Sequence, residues 1–149
     1  MKKVLTRNSV KIGLSGTGKN AVIEELVDMI AAQDDRLNRD DLLKAVFDRE
    51  QQMSTGMKNG IAIPHGKTDI VNKLYAAVGV SKDGIDFECM DKCPAHIFVM
   101  TISPASHTGP HLQFLAEVSG LLTREDLRTG ILNAETEDQL LSIFLEGKA

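Results

Sequence analysis

The 149-residue sequence predicts an α/β fold in which helices on either side of a small β-sheet form a layered sandwich within a single domain. Three observations support this prediction. Two segments with helical periodicity come before the strand signals, three more follow them, and the run between residues 96 and 102 is almost entirely apolar. A chain of this length can bury about two-thirds of the surface that its unfolded form exposes, which is enough for one core.

Two helices are predicted ahead of the sheet. Apolar residues repeat with the spacing of one buried helical face at positions 22, 23, 26, 27 and 30, which predicts the first helix. The second is predicted from about Arg39 to Gln52, and Asn38 is placed to cap its first turn. Its apolar side is formed by Leu42, Leu43, Val46 and Phe47.

The strand signals lie between residues 61 and 102. Ile61 to Ile63 form a short predicted strand that ends at Pro64, and residues 74–80 form another. Asp83-Gly84 is a turn signal, which is followed by a further short segment over residues 85–87. Residues 96–102 have the composition of a central strand that is covered on both faces.

Three helices are predicted after the strands. The first runs from about Pro110 to Leu122, begins with a proline suited to a first turn, and is expected to bury Leu112, Leu115, Val118 and Leu122. A short helix follows Thr123, where the T-x-x-D pattern resembles a capping box. The last helix follows Thr136, where T-x-x-Q is the standard form of that box.

Composition and charge argue against several classes of function. The net charge is −4 and the basic residues are scattered, whereas a nucleic-acid surface needs a basic stripe. No apolar run approaches the roughly 20 residues of a membrane helix and no signal peptide follows Met1, so we expect a cytoplasmic protein without membrane insertion. Cys89 and Cys93 lack a second ligand pair, and Gly109-Pro110 interrupts the His107-x₃-His111 spacing, so neither a metal site nor a cofactor is expected.

The segment from Gly13 to Asn20 nearly spells the phosphate-cradling loop of nucleotide triphosphatases, G-x-x-x-x-G-K-[ST]. The last position of that loop needs a hydroxyl for magnesium, and Asn20 supplies none. No later apolar strand ends in the aspartate that would complete a magnesium site. A flexible turn leading into the first helix is the simpler interpretation, and a nucleotide-binding protein is kept as an alternative.

Pro64-His65-Gly66 is the strongest candidate for chemistry. A short apolar strand runs into it, so His65 is expected on an abrupt corner at the strand end. Pro64 restricts its own φ, and Gly66 allows a sharp turn and the close approach of a partner or a phosphate. The unperturbed pKa of imidazole, near 6.5, leaves it mostly neutral at pH 7 with a free lone pair, which suits a phosphoryl acceptor. A histidine that merely caps a turn is the alternative.

Other residues favour an anion at His65. His111 opens a predicted helix, and a helix N-terminus offers unpaired N–H groups to an anion. A phosphoryl group would bring about −1.5 to −2 charges, for which Arg49, at the end of the second helix, offers a cation. Ser54 and Thr55 supply hydroxyls nearby in sequence. Each has a plainer alternative: a surface ion pair for Arg49, a helix-terminating turn for Ser54-Thr55, and a first-turn polar residue for His111.

The stretch from Arg49 to Gly66 resembles the active-site block of the fructose/mannitol-type IIA domains of the bacterial phosphotransferase system, which include the nitrogen-related regulatory IIA proteins. The resemblance rests on Arg49-Glu50, Ser54-Thr55-Gly56, Gly60-Ile61-Ala62-Ile63-Pro64-His65-Gly66, Gly84-Ile85-Asp86-Phe87, Asp91 with Pro94, Ser103-Pro104, His111-Leu112 and Leu115-Ala116. It spans nearly the whole chain, so one such domain is expected over residues 1–149. Lys92 departs from the pattern, since a glycine is expected there.

The resemblance implies a phosphoryl carrier built as an α/β sandwich around a mixed sheet. The histidine-containing phosphocarrier protein would phosphorylate His65, at Nε2. His111 would assist by hydrogen bonding and Arg49 would stabilise the phosphoryl group, with Ser54, Thr55 and Gly66 in support. The acceptor would be a regulatory target protein or, for sugar transport, a IIB domain. The segment from 104 to 116 favours the nitrogen-related, regulatory group.

Overall fold

The computed structural model describes residues 1–149 and contains five α-helices and five β-strands. A 3₁₀ turn, Arg7–Ser9, precedes the first strand. The elements are β1 (Val10–Ile12), α1 (Lys19–Ala31), α2 (Arg39–Gln52), β2 (Ile61–Ala62), β3 (His65–Lys67), β4 (Tyr75–Ile85), β5 (Ala95–Ser103), α3 (Gly109–Leu122), α4 (Glu125–Asn133) and α5 (Glu137–Glu146). The predicted fold class, a small mixed sheet flanked by helices, is confirmed.

The sheet has the strand order β1-β4-β5-β2, and β3 also pairs with β5. β4 and β5 pair antiparallel with each other. β1 pairs in parallel with β4, and β2 and β3 pair in parallel with β5. The partners Ala62 with Phe98 and His65 with Thr101 belong to one continuous register, so β2 and β3 follow each other along the same side of β5. Pro64 separates them because it has no N–H to donate to the ladder.

Alternate residues of β5 face two different apolar clusters. Phe98, Met100 and Ile102 pack with α1 and α2, whereas Ile97 and Val99 pack with the three C-terminal helices. The predicted central strand is therefore covered on both faces, which explains why its sequence is apolar almost throughout. No helix of the structure combines the length and the apolar character needed to cross a membrane.

Helix capping follows the sequence at two of three predicted positions. Asn38 Oδ1 accepts from the N–H of Asp41 at 3.1 Å, and Thr136 Oγ1 accepts from the N–H of Gln139 at 3.1 Å. The prediction for Thr123 is wrong: its hydroxyl donates to the carbonyl of Gly120 at 2.8 Å, and α4 begins one residue later, after Arg124. Thr123 keeps helical backbone angles as the C-cap of α3, whereas an N-cap residue has non-helical angles, as Arg124 does.

The structure contains two strands that the sequence does not predict, and one predicted turn is wrong. β1 and β3 have three residues each, which is too short a pattern to stand out. Asp83-Gly84 does not form a turn between two strands: β4 continues to Ile85, and its register against β5 shifts between Val80 and Ile85. Gly84 has φ 84°, so the glycine accommodates this irregularity within the strand.

The buried face of α3 differs from the expected one. Val118 and Leu122 are buried as predicted, but Leu112 is 61% exposed, and His111 and Phe114 face the interior together with Val118. These residues follow the i, i+3, i+7 spacing of one helical face, but its first member is polar, so apolar periodicity alone assigned the wrong first turn. This rotation of α3 carries the His111 imidazole into the protein, towards the sheet.

Candidate functional site

His65 is the first residue of β3, at an edge of the sheet, rather than a residue on an abrupt corner. The carbonyl of Pro64 accepts from the N–H of Thr101 at 3.1 Å, so the chain resumes pairing with β5 immediately. Parallel partners project to the same face, which puts the His65 side chain beside Thr101 and towards α3. His111 approaches from α3, and the two imidazole centroids are 5.8 Å apart.

The half-buried His65 ring has a defined tautomer. Its Nδ1 lies 3.0 Å from the carbonyl oxygen of Ile63. A carbonyl only accepts, so Nδ1 carries the hydrogen and Nε2 keeps its lone pair. Burial lowers the pKa of His65, and the positive charges of Arg49 and Lys67 lower it further. The ring is therefore neutral at pH 7, and the lone pair of Nε2 is not used by the Ile63 contact.

His111 is almost completely buried, with 3% exposure, and its Nε2 lies 3.0 Å from the Thr101 hydroxyl. Burial lowers the pKa of His111 to about 4, and the neighbouring His65 and Lys67 act in the same direction. Its Nδ1 has no hydrogen-bond partner within the protein. His111 is thus a neutral imidazole that can offer a hydrogen bond but no charge at pH 7.

A cavity of about 360 Å³ opens beside His65, lined by Ala45, Asp48, Arg49, Gln52, His65 and Lys67. It holds two cationic side chains, one from α2 and one from β3. Arg49 Nη1 donates to the carbonyl of Met53 at 2.8 Å, which orients the guanidinium. The N–H groups that this bond does not use remain available as donors. Asp48 pairs with Lys44 at 2.6 Å, so the acidic residue of the cavity already has a cation.

Gly66 is what allows α2 to lie this close to β3. A Cβ at this position would meet the backbone carbonyl carbon of Ala45 and the nitrogen of Val46, both at 3.0 Å. Arg49 follows Ala45 by one helical turn, so the close approach at Gly66 brings the guanidinium to the cavity. The glycine therefore acts through strand–helix packing, and not through the sharp turn that the sequence predicts.

Ser54 and Thr55 use their hydroxyls within the protein. Ser54 Oγ donates to the carbonyl of Phe87 at 2.7 Å, and Thr55 Oγ1 donates to Glu50 at 2.6 Å. Each hydroxyl has one hydrogen, so neither donates elsewhere in this structure. The buried Glu50 carboxylate also accepts from the Thr55 N–H at 2.8 Å and pairs with Lys19 at 3.0 Å. These bonds hold the loop that leads into β2.

The glycine-rich segment before α1 is organised around the protein's own carboxylates. The N–H groups of Ser15 and Gly16 donate to Glu25 at 2.9 and 2.8 Å. Lys19, the candidate phosphate-binding lysine of the nucleotide interpretation, pairs with Glu50 and Glu88. The donors that a phosphate would need are engaged, so we assign no nucleotide site to this loop.

The other histidines and the cysteines lie apart from His65. His96 Nδ1 bonds the carbonyl of Ser81 at 2.9 Å at the start of β5, and His107 lies in an exposed loop beside Ser106. Cys89 is a buried free thiol and Cys93 an exposed one. No group of three or more His, Cys, Asp or Glu side chains is arranged to hold a metal ion.

Residues 3–147 match the profile of the family described as "Phosphoenolpyruvate-dependent sugar phosphotransferase system, EIIA 2". The chain belongs to this family. It is 38% identical over 142 residues to the fructose-specific EIIABC component of Bacillus subtilis, covering 95% of this chain but only 22% of that longer protein. It is also 38% identical to the fructose-specific EIIA component of Haloferax volcanii, covering 86% of this chain and 83% of the relative.

Regulatory members of the EIIA family are similar as well. The nitrogen regulatory protein of Pseudomonas aeruginosa is 26% identical, over 98% of this chain and 95% of its own. The crystal structure of the nitrogen regulatory protein IIA-Ntr from Neisseria meningitidis superposes with a TM-score of 0.89 at 22% identity, covering 95% of this chain and 97% of its own. The IIA-mannitol chain from Escherichia coli, solved with phosphorylated IIB-mannitol, superposes with a TM-score of 0.82 at 17% identity, covering 95% and 97%.

Sequence reasoning did not single out two neighbours of His65. Lys67 lines the cavity, and Thr101 bonds His111. Lys67 follows His65 by two residues, a spacing that puts both side chains on one face of a strand, but residues 65–67 were not predicted as a strand. The one sequence feature that marks Thr101 is that it is a polar residue within an otherwise apolar predicted strand.

Proposed function

We propose that this chain carries a phosphoryl group on Nε2 of His65, received from the histidine-containing phosphocarrier protein and passed to an acceptor protein. The observation that carries the proposal is the neutral His65 ring, whose Nδ1–H is held by Ile63 and whose Nε2 lone pair is free. Cations beside this ring suit the arrival of a dianion. Membership of the phosphotransferase EIIA family supports the same chemistry.

The transfer is an in-line displacement at phosphorus. The Nε2 lone pair of His65 attacks as the phosphorus–nitrogen bond to the donor histidine breaks, and the electron pair of that bond returns to the donor's ring. One phosphorus–nitrogen bond forms for each that breaks. The His65 ring gains positive character in this step, which the Nδ1–H bond to the Ile63 carbonyl stabilises.

Arg49 and His111 receive the phosphoryl oxygens in this proposal. The guanidinium of Arg49 supplies charge-assisted hydrogen bonds, and its bond to the Met53 carbonyl holds it in place. His111 supplies a neutral hydrogen bond, because its low pKa keeps it uncharged. The N-terminal turn of α3, which carries His111, has unpaired N–H groups that favour an anion. Gly66 supports binding indirectly, by admitting α2, while Ser54 and Thr55 position the loop.

Two downstream roles follow from the family. We favour a regulatory role, in which phosphorylation of His65 decides which target protein binds, in keeping with the relatives named as nitrogen regulatory proteins. The second candidate is sugar transport through a fructose-type IIB domain, which the 38% identity to fructose-specific relatives favours. Phosphoenolpyruvate and the phosphocarrier protein act in the cytoplasm, so we assign the carrier to that compartment.

The deciding experiment follows labelled phosphate from phosphoenolpyruvate, through enzyme I and the phosphocarrier protein, onto this chain. We expect acid-labile, base-stable label on the wild type and on His107→Ala, whose histidine lies in an exposed loop, and none on His65→Ala. Label on the His65→Ala variant, or a folded wild type that takes up none, would refute the proposal. Adding a fructose-type IIB domain then separates the roles, since onward transfer of label to IIB favours transport.

A further inference from the structure

Lys67 shares its strand face with His65. The two residues are separated by one position in β3, and side chains alternate along a strand. Their parallel partners, Thr101 and Ser103, also alternate on β5, so the pairing reproduces the same arrangement from the neighbouring strand. Both His65 and Lys67 line the cavity that Arg49 reaches from α2.

The ammonium group of Lys67 has no partner in the protein, since no carboxylate lies within 4.0 Å of it and it donates no hydrogen bond. Lys44, on the same helix as Asp48, is engaged with that residue, and Arg49 uses one N–H on the Met53 carbonyl. The acidic residue of the same cavity, Asp48, is paired with Lys44 and not with Lys67. A positive charge therefore stands unneutralised beside a neutral acceptor histidine.

We propose that Lys67 is a second phosphoryl-binding cation, whose ammonium contacts an oxygen of the phosphoryl group on His65 from the β3 side while Arg49 contacts it from α2. The inference rests on the proposed function. The positive charge of Lys67 acts on both imidazoles, since it helps to lower the pKa of His65 and of His111. A cation in this place stabilises the phosphorylated state more than the free one, because the dianion appears only after transfer.

The test compares Lys67→Gln and Lys67→Arg with Lys82→Gln, which removes an exposed lysine of β4 that likewise has no carboxylate partner. Each protein is phosphorylated in two ways: by the phosphocarrier protein, and by phosphoramidate, a small donor that needs no protein partner. Two quantities are measured: the partition of label between the phosphocarrier protein and this chain, and the ionisation midpoint of the phosphoryl group by ³¹P NMR.

We expect Lys67→Gln to shift the partition about tenfold towards the donor and to raise the phosphoryl midpoint by about half a pH unit. Lys67→Arg retains most of both effects, and Lys82→Gln matches the wild type. A phosphoryl midpoint that is the same in Lys67→Gln and in the wild type overturns the inference while leaving the carrier function intact. If only phosphoramidate labels the wild type, the carrier function fails, and the midpoints still decide the role of Lys67.

Discussion

At the scale of single residues, the Glu50 carboxylate connects three segments around the loop before β2. It is 7% exposed, accepts both the N–H and the hydroxyl of Thr55, and pairs with Lys19 at the start of α1. Removing this carboxylate leaves the two Thr55 donors without an acceptor and leaves Lys19 with only the exposed Glu88 as a partner.

Glu50→Ala should therefore lower the free energy of unfolding by about 3 kcal/mol, as measured by urea denaturation. Lys44→Ala is the matched control. It breaks the exposed Lys44–Asp48 pair on the same helix and should cost less than about 0.5 kcal/mol. If the two variants lose similar stability, the Glu50 network does not hold the loop.

His111 makes stability depend on pH. Its pKa is about 4 in the folded protein, against about 6.5 in the unfolded chain. Between these values the unfolded chain binds a proton at His111 and the folded protein does not, so stability falls as the pH falls from 6.5 towards 4.

From pH 7 to pH 5 this residue should account for about 2 kcal/mol of lost unfolding free energy. His111→Gln should remove that part of the pH dependence, and the exposed His107→Gln should keep it, when urea denaturation is compared at the two pH values. Equal pH dependence in His111→Gln and the wild type would show that the buried imidazole is not the titrating group.

Sequence reasoning found His65, Arg49 and His111, which the fold brings to one region, because a strand end, a helix end and a helix start can each be located from local patterns. It could not find the hydroxyl partners in the same way. Ser54 bonds the carbonyl of Phe87, 33 residues away, and such a partner is set by tertiary packing rather than by spacing. The tautomer of His65 was equally hidden, since it depends on where the Ile63 carbonyl points.

At the scale of elements, the site depends on how closely α2 packs on β3. A Cβ on Gly66 would meet the α2 backbone at 3.0 Å, and backbone cannot rotate away as a side chain can. Gly66→Ala should therefore displace α2 from the strand and carry Arg49 with it.

We expect Gly66→Ala to lower the unfolding free energy by about 1–3 kcal/mol and to slow labelling of His65. Gly120→Ala, on an exposed part of α3 where a Cβ meets nothing within 4 Å, should raise stability by up to about 1 kcal/mol. Thermal unfolding measures both. A neutral Gly66→Ala with normal labelling would mean that Gly66 does not control the position of Arg49.

The elements themselves were predictable where periodicity was long. α2 has the predicted bounds, and the apolar stripe of α1 is buried as expected. Short strands were not predictable, because β1 has three residues and is stabilised by pairing with residues 78–80 of β4. Apolar periodicity also fails where a polar residue is buried: His111 faces the core, and the neighbouring Leu112 is exposed.

At the scale of the whole molecule, one sheet supplies side chains to both apolar clusters. Val78 and Ala77 are neighbours in β4, yet they belong to the clusters on opposite faces. Both layers of helices pack on this one sheet, so unfolding of the sheet exposes the apolar surface of both layers. We therefore expect the two layers to unfold in one transition.

Tyr75, the only tyrosine in a chain without tryptophan, reports on the face covered by α1 and α2. Its fluorescence and the far-UV circular dichroism of all five helices should show the same urea midpoint. A tyrosine transition that precedes the loss of helical signal would mean that the α1–α2 layer opens separately.

The interruption at Pro64 also bears on how copies of this chain meet one another. Neither outer side of the sheet presents a long regular strand: β1 and β3 have three residues each, β2 has two, and β1 and β3 each carry one lysine. Short, charged edges are poor templates for adding a strand from another chain. We therefore expect the break that starts β3 at His65 also to protect the protein from edge-to-edge aggregation.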